Sequence, residues 1–228
     1  MSVLPGVLVR RGLSAFVLGL ALLLTGCASD DPGGSGPVTG VTVNDEDGMN
    51  GAVPTEPYTV PDLALEATDG TRTVLAEDAE RPLTLVFFGY TMCPDVCQLV
   101  MADVANALNR LEPAERDQVA MTFVTTDPAR DDAATLRAYL DRFDPSFEGL
   151  TGPLPRIVEL GEAVGVPIAK GQKLPSGGYE VDHGTHVLGM TDDGTVPILW
   201  TQGTPPELVA DDIRRILAEG GVPTGGDS

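Results

Sequence analysis

A run of apolar residues from Leu83 to Phe88, broken only by Thr84, constrains this chain more than any other feature. It offers no polar alternation and so no solvent face. It reads as a strand buried on both sides, the kind found at the centre of a helix-covered sheet. A short turn follows. Val96, Leu99, Val100, Val104, Leu108 and Leu111 then recur at helical spacing, with Pro113 after them. Val119 to Thr126 reads as a second buried strand, which completes a β–α–β unit.

The flanking segments extend this pattern. Tyr58 to Leu65 alternates and leads into Thr68-Asp69-Gly70-Thr71, a hairpin signal. Asp131 to Phe143 reads as a helix, with Leu136, Tyr139, Leu140 and Phe143 on one stripe, and Arg156 to Val164 as a shorter one. Glu180 to Thr191 and Val196 to Trp200 read as strands on either side of the turn Asp192-Asp193-Gly194. Pro205 to Ala218 closes the chain as a helix that tolerates Pro206 in its first turn. The expected class is α/β: a thioredoxin-like sandwich, with a mixed central sheet flanked by helices and an N-terminal β-hairpin extension.

The ends carry different information. Arg10 and Arg11 precede an apolar run, Leu13 to Leu24, that is short for a membrane span. Leu24-Thr25-Gly26-Cys27 resembles a bacterial lipobox. Residues 1–26 are therefore expected to be a signal peptide, and Cys27 a lipidated anchor on the extracytoplasmic face of the cell membrane. Residues 27–56, rich in Gly, Asp, Ser and Pro, read as a flexible tether with a reach on the order of 30 Å. The folded domain is expected over 57–220, and 221–228 as a disordered tail. The chain has 228 residues and a formal charge of −20, from 34 acidic and 14 basic side chains. That balance argues against nucleic acid as a partner, which needs a basic face.

Once Cys27 is assigned to the anchor, two cysteines remain: Cys93 and Cys97 in Phe87-Phe88-Gly89-Tyr90-Thr91-Met92-Cys93-Pro94-Asp95-Val96-Cys97. They lie at the carboxyl end of the first buried strand, where open α/β sheets place their ligands. They are expected to open the helix, with thiolates favoured at its N-terminus. Residues four apart share a helix face, so the two sulfurs can converge. Such a pair can clamp a soft ion, Cu(I) or zinc, or close a disulfide in an exported compartment. The alternative is that Cys97 is a core residue, and the loop-to-helix position argues against it. His183 and His186 are the two histidines. One imidazole added to two thiolates makes a Cys2His set that suits copper. Asp127 and Arg130 could orient the loop, or Asp127 could shape the turn with Asp131 as helix cap. Asp95 is expected to face solvent, and Trp200 to lie in the core. The missing phosphate loop and Ser-His-Asp set argue against most hydrolase chemistry.

These residues resemble the SCO/SenC family, copper-handling thioredoxin-like proteins of cytochrome oxidase assembly. The likeness rests on the cysteine segment and on Phe123-Val124-Thr125-Thr126-Asp127-Pro128-Ala129-Arg130-Asp131. Leu136-Arg137-Ala138-Tyr139-Leu140, Gly149-Leu150-Thr151-Gly152, Val181-Asp182-His183-Gly184 and Asp192-Asp193-Gly194 extend it. The resemblance implies one copper ion, Cu(I) or Cu(II), held by Cys93, Cys97 and His183. It implies a metallochaperone for the CuA centre of a cytochrome c oxidase subunit, without turnover of its own. It implies further dealings with copper chaperones or thiol–disulfide reductases. A thiol–disulfide oxidoreductase, or redox sensor, using Cys93 and Cys97 is the competing expectation. Gly184 departs from the Ser or Thr usual in the family, and His186 has no counterpart there and is expected at the surface.

Overall fold

A computed structural model describes residues 48–173 and 179–223, with the backbone alone over 169–173 and 179–183. The expected signal segment, Cys27 and most of the tether lie outside the described residues. The chain runs β1 (Tyr58–Thr59), β2 (Ala64–Ala67), β3 (Arg72–Val74), β4 (Leu83–Gly89), α1 (Val96–Leu108), α2 (Pro113–Arg116), β5 (Val119–Thr125) and α3 (Ala133–Leu140). It continues with β6 (Glu148–Thr151), α4 (Leu154–Ala163), β7 (Ile168–Lys173), β8 (Tyr179–His183), β9 (Val187–Thr191), β10 (Thr195–Val196), β11 (Ile198–Trp200) and α5 (Pro206–Glu219).

All seven residues of β4 are buried. Its side chains alternate between two cores, as strand geometry requires. Leu83, Leu85 and Phe87 enter the core beneath α1, α3 and α5. Val86 and Phe88 enter the core beneath α4. Each fully buried Leu or Phe contributes roughly 1.5–3 kcal/mol. The strand can therefore sit only in the middle of the sheet. The order is β11-β9-β4-β5-β6-β2-β3. β4, β5 and β6 run parallel, and β9 and β2 flank them antiparallel. This is the expected mixed sheet with helices on both faces. The predicted hairpin forms from β2 and β3.

Three predicted strands are each divided, two of them at a proline. Tyr58 to Leu65 is interrupted at Pro61, so β1 pairs with β10 while β2 joins the main sheet. Val196 to Trp200 is interrupted at Pro197, which separates β10 from β11. Proline has no N–H to give to a ladder. Glu180 to Thr191 is interrupted at Gly184–His186: β8 pairs with β7 in a separate two-stranded ribbon, and β9 enters the main sheet. β6, β7 and α2 were not anticipated. Pro113, read as a stop, is the first residue of α2, where its missing N–H costs nothing.

The fold also begins earlier than the expected boundary at residue 57. Met49 and Ala52 are buried, and Ala52 exchanges backbone hydrogen bonds with Leu199. The clasp is Asp212 on α5, a buried carboxylate. It accepts from the Gly51 amide at 2.8 Å, the Asn50 amide at 2.9 Å, Asn50 Nδ2 at 2.8 Å and Trp200 Nε1 at 2.8 Å. Trp200 is thus a core residue, as expected, and also a donor. Among the described residues no helix is long and apolar enough to cross a membrane.

Asp212→Ala would leave these donors unpaired. We expect a loss of about 3 kcal/mol in urea unfolding. Trp200→Phe, which removes one donor together with its bond, should cost less. Equal losses for the two variants would contradict the clasp.

Candidate thiol and metal centre

The centre is built at the carboxyl end of β4, and that strand end is pinned from β5. The Gly89 carbonyl accepts from the Thr126 amide at 2.7 Å and from the Thr126 hydroxyl at 3.1 Å. Glycine is required at 89, since a Cβ there would come within 2.9 Å of the Phe87 ring and 3.0 Å of the Phe123 ring. The chain then turns: the Cys93 amide donates to the Tyr90 carbonyl at 3.2 Å. Asp95 caps α1 by position alone, without a side-chain bond, and is exposed as expected.

Cys93 therefore precedes the helix, and only Cys97 lies within it. The sulfurs meet because the turn folds Cys93 back over the helix start, not because they share a helical stripe. The two are reduced thiols that share a hydrogen bond. The loop-to-helix position was expected to keep them out of the core, and the structure corrects this. Cys97 is 0% exposed and Cys93 is 5% exposed, both within the α1-side core. The expected helix-stabilised thiolate is corrected as well. The Cys97 thiol is pushed well up, first by its hydrogen bond with Cys93 and then by burial. A backbone hydrogen bond with Tyr90 opposes this but does not prevail. A helix N-terminus favours the thiolate, but the hydrogen bond with Cys93 and the burial of the sulfur together outweigh it.

The apolar positions of α1 also differ from expectation. Leu99, predicted to face the core, is 56% exposed, and Met101 takes the buried place. Met92 is 67% exposed. Two apolar side chains thus stand in solvent on either side of a buried dithiol.

The turn after β5 braces the loop from below. Asp131 is fully buried and accepts from the Thr91 amide at 2.9 Å, the Thr91 hydroxyl at 2.5 Å and the Thr125 hydroxyl at 2.7 Å. It was a candidate helix cap. The cap is its neighbour Asp132, whose carboxylate accepts from the Thr135 amide. Asp127 forms an ion pair with Arg130, whose guanidinium stands 5.8 Å from the centre of the Tyr90 ring. The Asp127–Asp131 turn therefore does hold the cysteine loop, through Tyr90 and Thr91. Nothing in the sequence marked Thr91 as a partner, because it meets Asp131 only across the sheet.

His183 ends β8, paired in register with Ile168. Its side chain lies outside the described residues. β9 begins four residues later and runs antiparallel to β4 with Val187 opposite Phe87. The start of β9 thus lies at the same sheet end as the cysteines. Among the described residues no group of three metal-ligating side chains forms. His186, expected at the surface, is buried at 8% exposure, and burial lowers its pKa. Its ring lies against Gly184, on the side of Val166, a residue of the α4-side core, which is not the one that holds the cysteines. A Cβ at Gly184 would come within 3.3 Å of the imidazole, so a larger residue there needs the ring to give by a few tenths of an ångström. A cleft of about 670 Å³, lined by Thr84, Met121, Arg137 and Glu148 among others, opens at the opposite end of β4 and contains no Cys or His.

A family model described as SCO1/SenC matches residues 56–218. The chain belongs to the SCO1/SenC family. It is 31% identical over 112 residues to a putative copper-binding protein of Stutzerimonas stutzeri, covering 49% of this chain and 54% of that protein. It is 32% identical over 136 residues to the mitochondrial SCO2 homolog of Mus musculus, covering 59% of this chain and 53% of that protein. The chain thus spans about half the length of the curated relatives it matches. Among solved structures, copper-bound ScoI of Bradyrhizobium japonicum is 31% identical with a TM-score of 0.60, covering 70% of this chain and 97% of that one. The SCO1/SenC match includes the cysteine loop, the Asp131 brace and His183.

Metal-free reduced protein should be alkylated by iodoacetamide at pH 8 at least about tenfold more slowly than the same chain in denaturant, because both thiols are buried and the Cys97 thiol holds its proton. The linkage has a definite sign. The folded Cys97 keeps its proton above the unfolded value near 9.0, so stability should fall as pH rises beyond that value. Equal native and denatured alkylation rates would show that the thiols are accessible.

Proposed function

We propose that this chain is a copper-binding SCO1/SenC protein of cytochrome c oxidase assembly. It binds one copper ion through Cys93, Cys97 and His183 and passes it to the CuA centre of the oxidase subunit. The observation that carries this reading is the pair of buried, mutually hydrogen-bonded thiols at the carboxyl end of β4. Two sulfurs at one point favour a soft ion, and an imidazole nitrogen completes a set suited to copper in either oxidation state. Relatives named for copper binding or solved with copper support the choice of metal. Burial suits a cargo site, since it shields the metal from water and competing ligands. The exposed Met92 and Leu99 beside the pair are what a recipient would touch first. Transfer then proceeds by ligand exchange, one thiolate at a time.

Lipidation at Cys27 would hold the domain on the extracytoplasmic face of the membrane, with residues 28–47 as the remaining tether. A second reading, a thiol–disulfide oxidoreductase acting on the oxidase cysteines, draws on the same hydrogen bond between Cys93 and Cys97, since sulfurs in contact can also close a disulfide.

Anaerobic copper titration of the reduced protein tests the assignment. Wild type should take one ion with a sulfur-to-copper charge-transfer band. Cys93→Ala and Cys97→Ala should each lose at least about 100-fold in Cu(I) affinity, more than the loss of an outer partner would cause. His183→Ala should weaken Cu(II) binding while leaving thiol alkylation unchanged. Equal Cu(II) binding by wild type and His183→Ala would remove His183 from the set. A wild type that reduces an oxidised recipient peptide but takes no copper would favour the second reading.

A further inference from the structure

The backbone that carries Cys93 is fastened from the residues before it. After it, Pro94 has no N–H to donate, and Asp95 stands at the start of α1 without a side-chain capping bond. Before it, the turn that follows β5 supplies the hold. Thr126 bonds the Gly89 carbonyl twice. The Asp131 carboxylate then takes both the Thr91 amide, at 2.9 Å, and the Thr91 hydroxyl, at 2.5 Å. The Cys93 amide is itself bonded to the Tyr90 carbonyl. Met92, between Thr91 and Cys93, is 67% exposed, so its side chain adds little packing to the hold.

Asp131 is a costly way to hold a loop. It is 0% exposed, and a buried carboxylate needs donors to offset the loss of water. Three are supplied. Oδ1 accepts from the Thr91 hydroxyl, and Oδ2 accepts from the Thr91 amide and from the Thr125 hydroxyl at 2.7 Å. A carboxylate, which only accepts, fits this set. Asparagine, with one acceptor oxygen and an NH2 group, cannot serve it. The backbone of Asp131 is fixed as well: its amide donates to the Asp127 carbonyl at 3.0 Å, and its carbonyl accepts from the Thr151 hydroxyl at 3.1 Å. The carboxylate thus joins the cysteine loop to a rigid point shared by the ends of β5 and β6. Two of its three donors belong to one residue of that loop, two positions before Cys93.

We infer that Asp131 and Thr91 are positioning residues of the thiol centre. Their paired hydrogen bonds hold the Cys93 sulfur beside Cys97 and so set how tightly the pair grips a thiophilic ligand. Neither residue touches that ligand. Without the tie the loop has other paths open to it, and the sulfurs must be gathered at each binding event, which lowers affinity. The role rests on the reading of Cys93 and Cys97 as the working pair, but not on copper being its cargo.

Two probes test it. Phenylarsine oxide is the copper-free one. Its arsenic forms one As–S bond to each cysteine, and its oxygen leaves as water with the two thiol protons, so no electrons are exchanged. Equilibration against dithiothreitol gives the affinity. The second probe is Cu(I), in competition with bathocuproine disulfonate. Thr91→Val keeps the side-chain shape and removes the hydroxyl. It should bind each probe about tenfold more weakly than wild type, the size of loss expected for an outer partner. Thr91→Ser restores the hydroxyl and should return to within about twofold. Asp131→Asn should lose at least as much as Thr91→Val, and combining the two should add little, because both act through one tie. Asp212→Ala, destabilised outside the loop, should bind both probes as wild type does.

A Thr91→Val protein within about twofold of wild type for the arsenical would overturn the role. So would equal losses in Thr91→Val and Thr91→Ser. A loss in Asp212→Ala that matches Thr91→Val would also overturn it, since affinity would then follow stability and not the tie. If Asp131→Asn does not fold, the Thr91 variants decide. If wild type takes the arsenical but no copper, and Thr91→Val loses grip on the arsenical, the positioning role stands and only the copper assignment fails. If wild type takes neither probe, the working pair is refuted and this role with it.

Discussion

Burial of β4 on both faces is the constraint from which the rest of the molecule follows. A strand with no solvent-facing side chain must satisfy its backbone with neighbours on both edges, here β5 in parallel and β9 antiparallel. Its alternating side chains must be covered twice, by α1, α3 and α5 on one face and by α4 on the other. Three segments then meet at its carboxyl end: the loop that carries Cys93 and Cys97, the turn that follows β5, and the stretch between β8 and β9. Open α/β sheets place their ligand sites outside the carboxyl ends of their strands, and these three segments converge there.

The thiol pair is defined more by its surroundings than by its spacing. Asp131 reaches up from the β5 turn to hold Thr91, and Arg130 lies over Tyr90, so the loop before Cys93 is anchored at two points. The hydrogen bond with Cys93 and then burial keep the Cys97 thiol protonated. Both conditions suit a site that exchanges its protons for a soft cation, since the cation supplies the positive charge that the buried sulfurs lack. They also suit slow, selective disulfide exchange. The same geometry is therefore compatible with both copper binding and thiol–disulfide exchange.

A buried carboxylate recurs as a fastening device. Asp212 gathers the N-terminal segment, Trp200 and α5, and Asp131 gathers the cysteine loop and β5. Each takes several donors from segments distant in sequence. Removing either would leave several buried donors unpaired at once, which makes such sites sensitive to mutation.

What the sequence determined by itself is what depends on local pattern. The apolar run of β4, the helical spacing after it, the Asp-Gly turns and the α/β class were legible because side-chain period and turn chemistry act over a few residues. The cysteine pair was legible from its place after the buried strand, and the family from the spread of matching segments. Tertiary structure decided the rest. Pro61, Pro197 and the Gly184 stretch divide strands that pattern alone had joined, because each half finds a different neighbour. Leu99 turns outward and His186 inward because packing against distant elements, not local hydropathy, sets burial. The cysteines proved buried because the fold closes over them, and Cys97 holds its proton first through its hydrogen bond with Cys93 and then through desolvation. Thr91 and Asp212 gained their roles only when residues 40 and 162 positions apart were brought within hydrogen-bonding reach, a range that no sequence period encodes.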